Sequence, residues 1–254
     1  MLKASQGLVQ MIEEMAANAW PATVNQQIGS WRLRASGGIT KRANSVLTLG
    51  EMPAYEAWLD EVTAFYHRRA LPVRFQLSEA SPEELDCLLE GLGYASEVQS
   101  AVHIATCEAI LRRDPRGNGY SVTLSDHPDL DWFDAFLHIE GHPACYREFY
   151  KRISGMIGPY ACYVKVNDGD QIVGVGTAVS ERGWTGLLNI ATAESHRCKG
   201  VATQAVQALA AWSSNHGASS MYLQVVADNV KALALYGKMS FEYLYSYHYR
   251  TKYE

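Results

Sequence analysis

The stretch of this sequence best suited to chemistry reads Asn189-Ile190-Ala191-Thr192-Ala193-Glu194-Ser195-His196-Arg197-Cys198-Lys199-Gly200-Val201-Ala202-Thr203. Strand-like residues pass into a basic loop, then a glycine, then a long segment of helical period. A helix begins with N–H groups that lack intrahelical acceptors and carry partial positive charge. Gly200 lets an anionic group approach that backbone with no Cβ in the way. Arg197 and Lys199 add charge, and Thr203 adds a hydroxyl. The pattern suits a phosphate-bearing ligand. It also suits an ordinary loop whose basic side chains are simply solvated. A second group, His138-Ile139-Glu140-Gly141-His142-Pro143-Ala144-Cys145, sets two histidines four apart around a glutamate. A zinc deaminase would also need a P-C-x-x-C run, which is missing. Gly141 and Pro143 break the helix that would align the two rings. No metal site is expected.

The loop Arg197-Cys198-Lys199-Gly200-Val201-Ala202 resembles the Q/R-x-x-G-x-G/A motif of the GCN5-related N-acetyltransferases (GNAT superfamily). The block Asn229-Val230-Lys231-Ala232-Leu233-Ala234-Leu235-Tyr236-Gly237-Lys238-Met239-Ser240-Phe241 is similar to that superfamily's Asn-x-x-Ala-x-x-Leu-Tyr…Gly-Phe block, in the same order and at a similar separation. The likeness covers about residues 120–254. Asn189-Ile190-Ala191 and Leu223-Gln224-Val225 are most similar to the ribosomal-protein N-terminal acetyltransferases.

That resemblance implies acetyl-CoA as co-substrate and a primary-amine acceptor, either a small molecule or a peptide. It implies a splayed strand pair, Leu187–Ala193 and Met221–Val226. Ile190, Ala191 and Thr192 would meet the pantetheine arm. Arg197, Cys198, Lys199, Gly200, Val201, Ala202 and Thr203 would surround the pyrophosphate, and Asn229 would add a further contact. Tyr236 carries over as general acid to the leaving thiolate, with a core tyrosine as the plain alternative. His138, Glu140 and Gln224 fall where the acceptor would bind. Gln224 stands where the N-terminal acetyltransferases have a glutamate base, and an amide cannot accept the proton. Glu140 and Glu194 are the substitutes, acting through a water. A non-catalytic acyl-CoA-binding module, or transfer of another acyl group, is the competing reading.

These residues need a layered α/β frame. Tyr120–Leu124, Ala161–Val166, Gln171–Val179, Trp184–Ala193, Met221–Val226 and Phe241–Tyr249 read as strands. Leu130–Ile139, Tyr146–Ile157, Val201–His216 and Val230–Met239 carry helical spacing. Asn167-Asp168-Gly169-Asp170 is a hairpin turn. The expected fold is a mixed sheet flanked by helices. Tyr243, Tyr245, Tyr247 and Tyr249 alternate at strand period and read as one packed face.

Sliding the N-terminal half by 147 residues lays Ala54–Arg69 on Val201–His216, Val73–Leu77 on Ser220–Gln224, Leu92-Gly93-Tyr94 on Met239-Ser240-Phe241, and Thr40–Val46 on Leu187–Ala193. A constant offset marks an internal repeat. Pro53 falls on Gly200 and Leu89 on Tyr236, so the first copy lacks the loop and the tyrosine. We read residues 1–111 as a degenerate GNAT-like domain, 112–119 as a linker rich in Arg, Pro and Gly, and 120–254 as the catalytic domain.

With 254 residues, 48% apolar, the chain has material for two small cores. Its net charge of −5 argues against a nucleic-acid binder that relies on a basic field. Neither a secretory leader nor a membrane-length apolar run is expected. Cys87, Cys107, Cys145, Cys162 and Cys198 never form C-x-x-C, so reduced thiols in a cytoplasmic protein are expected. Oligomerisation is left open.

Overall fold

The computed structural model describes residues 4–114 and 119–253. Pro115–Asn118 of the expected linker lie outside the described residues. The elements run α1 (Gln6–Ala19), β1 (Val24–Ile28), β2 (Trp31–Ala35), β3 (Val46–Leu47), α2 (Trp58–His67), β4 (Val73–Leu77), α3 (Leu85–Gly91) and β5 (Ala95–Thr106). Then come α4 (Cys107–Leu111), β6 (Ser121–Ser125), α5 (Leu130–Glu140), α6 (Arg147–Gly155), β7 (Tyr160–Asp168), β8 (Gln171–Glu181) and β9 (Trp184–Thr192). The chain ends with α7 (Val201–Asn215), β10 (Ser220–Val226), α8 (Val230–Lys238) and β11 (Glu242–Lys252). Among the described residues no helix is long and apolar enough to cross a membrane.

The chain divides into two compact units. The first holds Met1–Val102, Val226–Asp228 and Leu244–Glu254; the second holds His103–Val225 and Asn229–Tyr243. The sequence boundary at 112–119 assigns the last strand to the C-terminal half. In the structure its residues from Leu244 onward belong to the first unit.

In the first unit β1 and β2 form a hairpin, β3 runs parallel to β4, and β11 pairs antiparallel with β4, setting Tyr249 opposite Gln76. Successive strand residues face opposite ways, and the two faces differ in kind. Trp31, Leu33 and Phe75 pack against Val62 and Phe65 of α2 and Leu85 and Leu89 of α3, all 0% exposed. Trp31 meets Trp58 edge-on at 5.3 Å. Each such side chain contributes about 1.5–3 kcal/mol on burial. The other face is polar yet buried. Arg34 donates to Ser45 Oγ (2.9 Å) and Gln76 Oε1 (2.7 Å), and Glu13 of α1 accepts from Gln76 (2.5 Å) and from Tyr245 Oη (2.7 Å). Burial pushes the Glu13 carboxyl up, against the pull of these donors. The tyrosine face of β11 therefore packs on polar partners in the first unit from Tyr245 onward, while Tyr243 is exposed.

In the second unit β6, β7, β8 and β9 form an antiparallel meander, and α7 crosses over to bring β10 parallel to β9. The turns use positive φ where expected: Gly169 (56°) after β7, and Arg182 (54°) with Gly183 (77°) after β8. α7 lies close on the sheet because Gly174 has no Cβ; one there would collide with Val201. α5 docks through Trp132, whose Nε1 donates to the Val164 carbonyl (3.1 Å) and whose ring stacks on Phe136 (5.5 Å, 15°).

The repeat is visible element by element at the same offset. α2 maps within α7, β4 within β10, and α3 within α8. The turn after the last of these is reproduced: Tyr94 N donates to Leu89 O (2.9 Å), and Phe241 N to Tyr236 O (3.0 Å). Both turns hold a left-handed residue, Gly93 (82°) and Ser240 (71°). The strand expected at Thr40–Val46 is only Val46–Leu47. Asn44 Oδ1 accepts from Ser36 N (2.7 Å) and Gly38 N (2.9 Å) and holds the preceding residues in a loop. The last strands are exchanged: β11, not β5, lies beside β4, while the end of β5 lies beside β10.

Candidate functional site

β9 and β10 pair in parallel from Trp184–Ser220 to Leu187–Leu223, and the pairing ends there. The cause is local. Asn189 takes φ 54°, and the β8–β9 register shifts between Val175 and Thr177, placing an extra residue in β9. Such a bulge bends its strand. Leu188–Thr192 therefore leave β10, and backbone groups on that edge lose a strand partner. Ile190 is half-buried over Gly176, Ala191 is buried, and the Thr192 hydroxyl is buried with no protein partner. Gln224 is half-buried on β10, one residue past the last pair.

After β9 a single 3-10 turn, Glu194–His196, leads to Arg197, Cys198 (φ 62°), Lys199 and Gly200 (φ 90°). Arg197, Cys198 and Lys199 are exposed. Gly200 is the N-cap of α7, with no side chain capping the helix and no acid in its first turn. The N–H groups of Val201, Ala202 and Thr203 are thus left for an external acceptor, in a field that favours an anion. Val201 is 1% exposed and anchors the turn, while Ala202 and Thr203 are half-buried. An extended amide chain ending in phosphates fits this run: an unpaired strand edge, an unpartnered hydroxyl, then a bare helix start. Nothing in the sequence signals the bonds that brace the loop. Ser195 Oγ lies 2.9 Å from His196 Nδ1, and His196 Nε2 lies 3.1 Å from Asp168 Oδ2, tying the loop to the β7–β8 turn. Asp168 reads from sequence only as a turn residue.

Asn229 caps α8, its Oδ1 accepting from Ala232 N (3.1 Å). Tyr236, 9% exposed, sits on α8 with its ring edge-on to Phe241 at 5.6 Å. Burial, with a smaller push from the Glu140 carboxylate, raises its hydroxyl to about 12. Tyr150 of α6 is likewise raised to about 12, by burial and then by Glu140. Glu140 therefore projects its charge onto both phenols, although it is itself exposed at the end of α5, where Gly141 (φ 68°) stops the helix. The structure does not bring the two histidines together. His138 is exposed, while His142 stacks on Tyr150 (5.8 Å, 22°). Ser240 holds the left-handed position and accepts from Arg113 Nε (2.8 Å).

The fold and these blocks define a GNAT-type protein with two tandem repeats. The family described as "Probable histone acetyltransferase Rv0428c C-terminal" matches residues 7–253, and the chain belongs to it. An uncharacterised N-acetyltransferase of Bacillus subtilis, YobR, is 37% identical over 244 residues, covering 96% of this chain and 98% of that protein. The probable histone acetyltransferase Rv0428c of Mycobacterium tuberculosis is 28% identical over 239 residues, covering 89% and 68%. Among solved structures, a GCN5-related N-acetyltransferase from Kribbella flavida superposes with TM-score 0.70 at 12% identity over 100% of this chain and 97% of that one. A tandem GNAT protein from the clavulanic acid biosynthesis pathway gives 0.66 at 12%, covering 96% and 87%.

Proposed function

We propose that the protein transfers the acetyl group of acetyl-CoA to a primary amine, on a small molecule or a peptide or protein N-terminus, by direct attack in a ternary complex. The observation that carries this reading is the continuity of β9 and α7. A strand edge that loses its partner after Leu187 runs into an uncapped helix start with Gly200 at φ 90°. Ile190, Ala191 and Thr192 offer backbone and hydroxyl groups to the pantetheine arm. Arg197 to Thr203 receive the pyrophosphate through backbone N–H groups and two cationic side chains. Asn229 acts at second hand, by fixing the start of α8.

The amine nitrogen attacks the thioester carbonyl, the C–N bond forms, and the C–S bond breaks. A backbone N–H on the freed edge of β9 supports the oxyanion. Tyr236, kept protonated by burial, donates its hydroxyl to the departing sulfur. Glu140 attracts the ammonium form of the acceptor and takes its proton through a water, the task Gln224 cannot perform. Its charge already reaches Tyr236 and Tyr150, so acceptor and leaving group meet near one carboxylate. The experiment is an acetyl-transfer screen over amines and peptides with wild type and Glu140→Gln. Turnover that falls in the variant supports the reading. Tight acetyl-CoA binding with no turnover on any acceptor would mark a non-catalytic module instead.

A further inference from the structure

β6 ends the second unit's sheet, paired only with β7 on one side. Ser121, Val122, Thr123 and Leu124 are exposed, Val122 at 39% and Leu124 at 40%. Natural edge strands are usually blunted by lysine, proline, a bulge or an inward charge. Ser121-Val122-Thr123-Leu124-Ser125 has no charge and no proline, and it pairs with β7 in unbroken register from Ser121–Asn167 to Ser125–Tyr163. The first unit's end strand, β1, differs, because its polar side chains are engaged by their own chain. Asn25 donates to Ala22 O (2.9 Å), Gln26 to Glu61 Oε1 (2.6 Å), and Gln27 to Gly29 O (3.0 Å).

The β6 sequence has the same polar–apolar pattern in both directions: Ser, Val, Thr, Leu, Ser. A two-fold axis through Thr123 would set Ser121 against Ser125 of the partner subunit and Val122 against Leu124 of the partner subunit. Polar then meets polar and apolar meets apolar at every step, as an isologous antiparallel pair requires. The flanks complement each other as well. Arg112 and Arg113 precede the strand, and Asp126, Asp129 and Asp131 follow it. Antiparallel pairing carries the basic entry of one copy toward the acidic exit of the other. We propose that the β6 edge is a homodimer interface, formed by antiparallel addition of a second copy of this chain about Thr123.

The test is sedimentation of the full chain across a concentration series. Wild type should show a concentration-dependent dimer. Val122→Glu and Leu124→Lys should each weaken it by about tenfold, because each substitution acts twice across the axis. The double variant carrying both changes in one chain should restore the dimer and make it salt-sensitive. In that variant the carboxylate introduced at position 122 faces the ammonium introduced at position 124 of the second copy, on both sides of the axis. Circular dichroism and acetyl-CoA binding check that the variants fold. Thr123→Lys, which sets two ammonium groups face to face on the axis, should give a monomer. A wild type that stays monomeric at all concentrations overturns the proposal, as does a dimer indifferent to all three single changes. Failure of the double variant to recover overturns the register.

Discussion

Two helices in this chain start at equivalent places in the repeat and carry opposite electrostatics. α7 begins at Gly200 with φ 90°, with no acid in its first turn and with Arg197 and Lys199 just before it. α2 begins at Ala57 with Asp60 and Glu61 in its first turn, and Gly200 maps to Pro53. Each helix packs on a parallel strand pair, and each is followed by a strand, a helix and a left-handed turn. A scaffold can therefore be kept while its anion site is removed, since only the helix start and one glycine need change. Tyr236 and Leu89 make the same contrast one helix later: each is buried, and only one carries a hydroxyl.

The largest effect should come from placing a carboxylate where phosphate is expected. Gly200→Glu fills the approach with a side chain, forces an L residue into φ 90°, and opposes an anion. Acetyl-CoA affinity should fall by at least about a thousandfold, on the order of 4 kcal/mol. Pro53→Glu should leave affinity unchanged, and titration calorimetry should give one site per chain. A second site, or sensitivity at Pro53, would break the contrast between the units. Next is Tyr236→Phe. Burial puts the phenol at about 12, a weaker acid than a thiol, so the hydroxyl works mainly by hydrogen bonding to the sulfur. The expected loss is about 10² in kcat, the low end for general acid catalysis, with acetyl-CoA affinity unchanged. Wild-type kcat in the variant, with chemistry rate-limiting, would make Tyr236 as structural as Leu89.

The elements of the second unit were legible because each is locally determined: alternation for β7 and β8, turn residues at 167–170 and 180–183, and helical period for α7 and α8. The anion-binding potential of the Gly200 turn was legible for the same reason. Three features were not. The exchange of β5 and β11 depends on which strand wins a distant partner, and no local pattern reports that. The loop before β3 depends on one Asn44 side chain gathering two backbone N–H groups. The Ser195–His196–Asp168 chain joins residues that lie apart in sequence. Asn229, singled out for its motif, is held in the structure as a helix cap.

A third test uses acid, because the first unit grips β11 with carboxylates. Asp86 accepts from Arg250 (2.7 and 3.2 Å) and lies 2.9 Å from His248 Nε2; the Arg250 bonds lead in holding it at about 2. Glu97 is also held at about 2, where bonds from Lys41, Tyr253 and Thr251 outweigh burial. Both groups are lowered below their usual 3.8 and 4.5. Their stabilisation is present above those ordinary values and is lost as pH falls toward 2, where the folded carboxylates take up protons. Solvent screening at Asp86 keeps the effect modest. Urea unfolding should show stability falling between about pH 4.5 and 2, and Asp86→Asn should flatten that slope. An unchanged slope would mean that the grip on β11 is carried by the buried Glu13–Tyr245 bond instead.

The smallest expected effect compares the two left-handed turns directly. Gly93 and Ser240 occupy the same place after α3 and α8, at φ 82° and 71°. An L residue there costs about 1–2 kcal/mol relative to glycine. At Gly93 a Cβ would meet nothing within 4 Å, so Gly93→Ser should incur that strain without a compensating contact and destabilise by about 1 kcal/mol. At Ser240 the strain is already present and is opposed by the bond from Arg113 Nε at 2.8 Å. Ser240→Gly relieves the strain, removes a bond of about 0.5–1.5 kcal/mol, and adds freedom to the unfolded chain. These terms nearly cancel, so its stability should stay within about 0.5 kcal/mol of wild type. Arg113→Ala should then destabilise wild type but not the Ser240→Gly variant, as a double-mutant cycle would report. A Ser240→Gly gain of about a full kcal/mol, with no coupling to Arg113, would mean that the serine is tolerated rather than supported.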